Sequence, residues 1–455
     1  MRFGKFLLLS FSLVPILPCA NAQTTQIGLT ASAGVSNNNT PPWPLAPGQI
    51  SVYRELGANV NWAYVETSSG VYDWTHFDAT TNFAIAQGAT KIEFQIWQTP
   101  TWASSNPGDT NCSDTTYPGS CDPPSDLNSD GTGTNALFKA YVTSVMTRAA
   151  AQWPGITRVY ALWNEPSAGP TKWTGTNAQL VRMQTDAINL RNSLDATGLI
   201  LSSPFAGLWS TSGQNAFTSF LSAGGAVGVD RIGYHGYLNP ATNVASDEIN
   251  VILSFVRSAV KSAGLTAKLA NTEYSWADTS SFTGDQVAWV GQTLLLQQQP
   301  DIDYINWYGL NFPFGTLVTD ANAVTQFNLS PAGIAFQQIS GTWIPPGSIL
   351  GTVCAPLAAN ATITTCQGRK STTYGYDLFV WSSAPTSYTF PMGTYQYMYD
   401  TQGNKTVIDS AASVPVSPEP VRLVPAAPIV PPTPGNPGHR TCPWWHIFCN
   451  CGCKP

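Results

Sequence analysis

Charge is what this 455-residue chain has least of: Asp, Glu, Lys and Arg together make up 10% of it, against roughly 25% in an average soluble protein. Mean hydropathy is nevertheless close to zero, at -0.06. The polarity therefore comes from Ser, Thr, Asn and Gln, an uncharged surface more usual outside the cell than in the cytosol. Basic residues number 20 against 26 acidic ones, for a net charge of -6. With no basic run, no nucleic-acid partner is expected. Beyond a short N-terminal stretch, no segment approaches the roughly 20 apolar residues of a membrane span. A glycine-rich nucleotide turn is also missing after the first strand candidate, where Ala31-Ser32-Ala33-Gly34 stands, which speaks against a doubly wound nucleotide-binding sheet. Outside the C-terminal tail no cluster of His, Cys, Asp or Glu has metal-ligand spacing, so neither a metal nor a cofactor is expected.

Aromatic residues are abundant, with 16 Trp and 17 Tyr. They argue for a folded body and suit flat, uncharged, hydroxyl-rich ligands such as sugars. Residues 1–22 read as a secretory signal: Arg2 and Lys5, an apolar stretch from Phe6 to Leu17, and Ala20-Asn21-Ala22 as the cleavage site. Export makes the cysteines disulfide candidates. Cys112 with Cys121 and Cys354 with Cys366 are each expected to staple a loop. Cys442, Cys449, Cys451 and Cys453 crowd into the tail beside His446, where disulfides are favoured over zinc.

Between Gln26 and Thr342 short apolar strands alternate with segments of helical period. Strands are expected at 26–31, 58–65, 91–97, 158–163, 199–203, 231–234, 267–272 and 303–307. Eight β-then-α units predict a (β/α)8 TIM barrel over residues 23–342. A small β-sandwich-like module is expected over 343–411, from strand patterns such as Tyr376–Trp381 and Tyr395–Tyr399. Residues 412–437 are rich in Pro and predict an extended linker. Residues 438–455 predict a disulfide-tied knob able to attach the protein to a cell wall or surface.

Glu is scarce, with seven in the chain, yet two of them end apolar strands three units apart. The fourth strand closes on Leu162-Trp163-Asn164-Glu165-Pro166 and the seventh on Asn271-Thr272-Glu273-Tyr274. Barrels place catalytic groups at these strand ends, and facing carboxylates are the usual equipment for cleaving a glycosidic bond. Glu93, in the third strand, is a further carboxylate that alternation could place inside the barrel, with a structural or subsite role.

These segments resemble the retaining glycoside hydrolases of clan A, most of all family 39 and its neighbours. Gly70-Val71-Tyr72-Asp73-Trp74 with Asp78, Pro100-Thr101-Trp102-Ala103, Asn164-Glu165-Pro166, His235-Gly236-Tyr237, Glu273 and Trp307 follow the clan's order. The resemblance covers residues 26 to 410. It implies Glu165 as acid/base, with a pKa raised by Trp163 and burial, and Glu273 as nucleophile, with Tyr237 or His235 donating to it. It further implies that Asn164 binds the sugar 2-hydroxyl and that Trp307 and Trp102 stack on a pyranose ring. An Arg customary near the end of the second strand is replaced by Asn61-Trp62, so the nucleophile's hydrogen bonding or the subsite contacts are expected to differ. The implied activity is secreted, retaining hydrolysis of a polysaccharide or oligosaccharide by double displacement. A transglycosylase on the same site, or a catalytically silent carbohydrate-binding or wall protein, are the alternatives.

Overall fold

The computed structural model describes residues 25–30, 43–56, 60–238, 245–246, 248–276, 285–311, 316–320, 327–348, 351–371 and 375–426. The predicted signal, the later part of the predicted linker and the Cys-rich knob lie outside the described residues. Eight parallel strands close a barrel: β1 (Gln26–Thr30), β2 (Val52–Glu55), β3 (Lys91–Ile96), β4 (Thr157–Leu162), β5 (Leu199–Leu201), β6 (Arg231–His235), β7 (Lys268–Tyr274) and β8 (Ile302–Tyr308). Helices pack outside it, among them α1 (Thr75–Ala86), α2 (Ala136–Gln152), α3 (Asn177–Leu194), α4 (Thr211–Ser222), α5 (Ser254–Ser262), α6 (Gln286–Leu296) and α7 (Pro331–Gln338). Local sequence explains several helix starts. Thr176 and Gln179 form a capping box on α3, Asp285 caps α6, and Ser330 caps α7 with Pro331 in its first turn.

Alternation sorts each strand into an outer face toward the helices and an inner face. Val52, Val159, Ala161, Leu201, Ala270 and Tyr304 fill the barrel interior. Above them the interior turns polar, with Arg54, Glu93 and Gln95 all buried. Seven of the eight expected strands are present. The second is not at 58–65 but at Val52–Glu55, and Trp62–Val65 forms a helical turn instead. Arg54 and Glu55 disguised the strand, because two charged residues in a row contradict the apolar run of a barrel strand; both are fully buried.

One irregularity decides where a carboxylate points. Asn271 faces outward, toward Glu248 and Gln297, and strict alternation would send Glu273 the same way. Tyr234 pairs with Asn271 but the next residue, His235, pairs with Glu273, leaving Thr272 as an extra residue. This bulge re-aims Glu273 into the barrel.

The C-terminal module comprises β9 (Ala355–Leu357), β10 (Asn360–Ser371), β11 (Gly375–Ser382), β12 (Thr386–Thr389), β13 (Tyr395–Tyr399), β14 (Lys405–Val407), β15 (Ser413–Val416) and β16 (Val421–Pro425). Six of them form an antiparallel sheet in the order β9-β10-β11-β16-β13-β14, and β12 pairs with β15. One sheet face carries Phe379, which stacks on Trp343 at 5.5 Å. The other covers a separate core around Val380, Val414 and Leu423. Cys112 is bonded to Cys121 and Cys354 to Cys366, as their spacing predicts. Among the described residues no helix is long and apolar enough to cross a membrane.

The expected linker boundary at 412 is corrected here. Proline does not prevent residues 413–425 from pairing: Pro415 lies in β15, which pairs with β12, and Pro425 ends β16, whose Val421, Arg422 and Leu423 make the central contacts. Truncation after Val414 would remove β16, bury nothing at Leu423 and strip the buried Asp377 carboxylate of its Arg422 partner. The module's melting transition should fall by at least about 5 °C; scanning calorimetry giving an unchanged trace would refute this.

Candidate active site

The polar layer at the carboxyl ends of the strands is organised around Arg54. Its Nε donates to Glu93 Oε1 at 2.7 Å, and its Nη2 donates to Gln95 Oε1 at 2.8 Å and to Asn164 Oδ1 at 2.7 Å. Its Nη1 pairs with Glu273. Burial works against the guanidinium charge, but Glu273 and Glu93 outweigh it and push its pKa upward. Glu93 also accepts from Tyr304 Oη at 2.9 Å and Asn306 Nδ2 at 3.1 Å. Its carboxyl is pushed up by burial, with Arg54 opposing. Glu93 thus lies inside the barrel as an anchor for Arg54.

Glu273 accepts a second hydrogen bond, from Tyr237 Oη at 2.8 Å. The backbone N–H of Gly236 donates to the Glu273 carbonyl at 2.8 Å, which ties the ends of β6 and β7 together. Glu165 stands opposite, its Oε1 2.9 Å from His235 Nδ1 and its Oε2 3.9 Å from Lys172 Nζ. Glu165 (φ 52°) and Gln98 (φ 65°) occupy the left-handed region that non-glycine residues avoid. One atom each from Glu165, His235 and Glu273 lie within 4.8 Å of one another. An arrangement with a water between the carboxylates needs about 6.5–9.5 Å.

These groups open into a cleft of about 390 Å³, walled in part by Tyr64, Trp97, Asp114, Lys172 and Tyr308. The loop closed by Cys112–Cys121 supplies one wall. Ser113 N donates to Thr171 O at 2.8 Å, Thr174 N donates to Cys121 O at 3.0 Å, and Tyr117 meets Tyr64 edge-on at 4.6 Å.

No protein-family model matches the chain, and no curated protein matches it by sequence. Solved structures do share its architecture. A glycoside hydrolase family 39 β-xylosidase from Caulobacter crescentus aligns over 88% of this chain and 96% of its own, with a TM-score of 0.54 at 12% identity. A glucosidase from Croceicoccus marinus covers 87% of this chain and 81% of its own, at TM-score 0.51 and 14% identity. A family 44 xyloglucanase from Paenibacillus polymyxa covers 89% and 98%, at 0.51 and 12%. The chain shares the fold of these glycoside hydrolases.

Within this barrel, Glu165, Glu273, Asn164, His235 and Tyr237 converge at the carboxyl ends of the strands. Asn164 Oδ1 accepts from Arg54 Nη2, which turns its amide nitrogen away from that bond. Trp307 does not join them. It faces outward, fully buried against Tyr274, Trp276 and Phe336, because Tyr304, Asn306 and Tyr308 take the inward positions of β8. Tyr308, 6.2 Å from the Tyr237 ring, occupies the mouth instead. Trp102 packs partly buried, its indole N–H donating to Glu66 O at 3.0 Å, and Trp97 rather than Trp102 is among the cleft-lining residues.

Two further expectations are overturned. The missing Arg is present as Arg54, in the second strand at Val52–Glu55 rather than at Asn61-Trp62. The carboxyl of Glu165 is not raised: burial pushes it up, but the His235 hydrogen bond and charge, with Lys172 and Arg54, outweigh this and hold it below the usual carboxylate range. Trp163, the neighbour expected to raise it, donates its indole N–H to Lys172 O at 2.9 Å and packs against Trp173.

Proposed function

We propose that the protein is a secreted retaining glycosidase that cleaves a polysaccharide or oligosaccharide by double displacement. The close approach of Glu165 and Glu273, with His235 between them and Arg54 and Tyr237 on Glu273, carries this reading. Glu273 attacks the anomeric carbon as Glu165 gives a proton to the departing glycosidic oxygen, and a glycosyl–Glu273 ester forms. Water then attacks that carbon, its proton passes to Glu165, and the ester bond to Glu273 breaks. Asn164 takes the 2-hydroxyl in this reading, where contacts strengthen as positive charge develops. Burial opposes ionisation of Glu165, but His235 and Lys172 favour it. The acid step therefore requires bound substrate to exclude water and present an oxygen ready to take the proton.

The xylosidase, glucosidase and xyloglucanase activities named for the structural neighbours make neutral glycans the first substrates to try. A signal-like leader and two disulfides support export, and the Cys/Trp-rich tail suits attachment to a wall or surface. The test uses the mature chain recovered from culture medium, with its N-terminus expected at Gln23. Aryl glycosides and polysaccharides are screened, and the first product is followed by NMR. Retained anomeric configuration is expected. An inverted first product would remove the double-displacement mechanism, and transfer to added sugar acceptors in place of water would favour a transglycosylase.

A further inference from the structure

We propose that the side-chain amides of Asn61 and Gln98 form a sugar-hydroxyl subsite that sets specificity in this cleft, an inference that rests on the glycosidase reading above. Gln98 follows β3 at the carboxyl end of the barrel, beside Trp97, and both amides line the cleft that holds Asn164, Glu165 and Glu273. Of the four non-glycine residues with positive φ among those described, two are Gln98 and Glu165. The backbone at Gln98 is fixed from the loop after β2: Trp62 N donates to Trp97 O at 3.1 Å and Ala63 N to Gln98 O at 3.0 Å. A glycine would hold that conformation without strain, so the backbone alone gives no reason for a glutamine.

The side chains supply one. Gln98 is 6% exposed and Asn61 4%. Asn61 Nδ2 donates to Gln98 Oε1 at 2.6 Å, and Asn61 Oδ1 is buried with no hydrogen-bond partner. With its oxygen engaged, Gln98 keeps an amide N–H₂ that pairs with no described residue and, not being fully buried, is open to the cleft. The Asn61 oxygen, buried and unpaired, is unfavourable until something pairs with it. A neighbouring donor and acceptor match hydroxyls, which both give and take a hydrogen bond. An anion would be repelled by the Asn61 oxygen, and an apolar group would satisfy neither amide. The shared cleft puts the hydroxyl on a sugar at or next to the bond being cleaved.

The test takes whichever aryl glycoside of the panel is turned over, together with its 3-, 4- and 6-deoxy forms where the sugar has those hydroxyls. Gln98→Gly removes the amide and relieves the left-handed backbone, so its Tm should be unchanged or higher. Gln98→Met keeps the length without the amide. Both should lower kcat/KM on the parent glycoside about 10- to 100-fold. One deoxy form should escape this loss, because the wild-type preference for that hydroxyl disappears with the amide. Equal losses on the parent and every deoxy form, or no loss at all, would overturn the subsite. A wild-type chain that turns over no glycoside would instead overturn the glycosidase reading, and the subsite with it, before any variant is made.

Discussion

Glu273→Gln should lower kcat on every glycoside by at least about 10⁴-fold, because an amide oxygen is a poor nucleophile and no other described group occupies its place. The substitution is close in shape, so the protein should still fold and bind sugar. The companion variant Glu165→Gln should behave differently. It should nearly abolish turnover of natural glycosides, whose departing oxygen needs a proton, and spare the first step on aryl glycosides with acidic leaving groups. Steady-state kinetics on a series of leaving groups reads both. If the two variants lose activity equally across that series, the roles assigned to the two carboxylates are wrong.

The second large effect is expected at Arg54, where stability and catalysis meet. Arg54→Met removes the partner of the fully buried Glu93 and of Glu273 in one step. Breaking a buried pair while leaving its carboxylates in place costs about 3–5 kcal/mol, so the urea midpoint should drop clearly. Activity should suffer as well. Asn164 loses the donor that orients it and Glu273 loses one of its two side-chain donors, so kcat/KM should fall by about 100-fold or more. Normal stability with normal kcat would mean that this polar layer does not support the nucleophile.

The strand ends at Asn164-Glu165, His235-Gly236-Tyr237 and Glu273 were legible because scarce charged or polar residues interrupt apolar strands at the end where a barrel carries its chemistry. Arg54 was equally present in the sequence, but Val52-Tyr53-Arg54-Glu55 resembles no buried strand until the barrel gives both charges a partner or a cover. The assignment of Trp307 failed on parity. Tyr304 and Asn306 were the available signal, since polar groups in a fully buried strand mark its inner face, and they point to Tyr308 at the mouth. The bulge at Thr272 had no such signal: nothing local distinguishes Asn271-Thr272-Glu273 from a regular strand. The pKa of Glu165 was misjudged for a related reason, since burial was foreseeable but the convergence of His235, Lys172 and Arg54 depends on tertiary structure. In the module, Pro made β15 and β16 read as linker, although their pairing leaves the ring nitrogens at strand positions that need no donor or at strand ends.

The position of β16 between β11 and β13 has a consequence for the order in which the protein is made. The strand that completes the middle of the sheet is the last of the module to leave the ribosome, and barrel and helices precede it entirely. Until Val421–Pro425 arrives, β11 and β13 present open edges to each other and to any other chain. The barrel can be finished while the module is still waiting for its keystone. A premature stop before residue 421 would therefore yield a chain with an intact barrel and a sticky appendage, prone to associate with other chains.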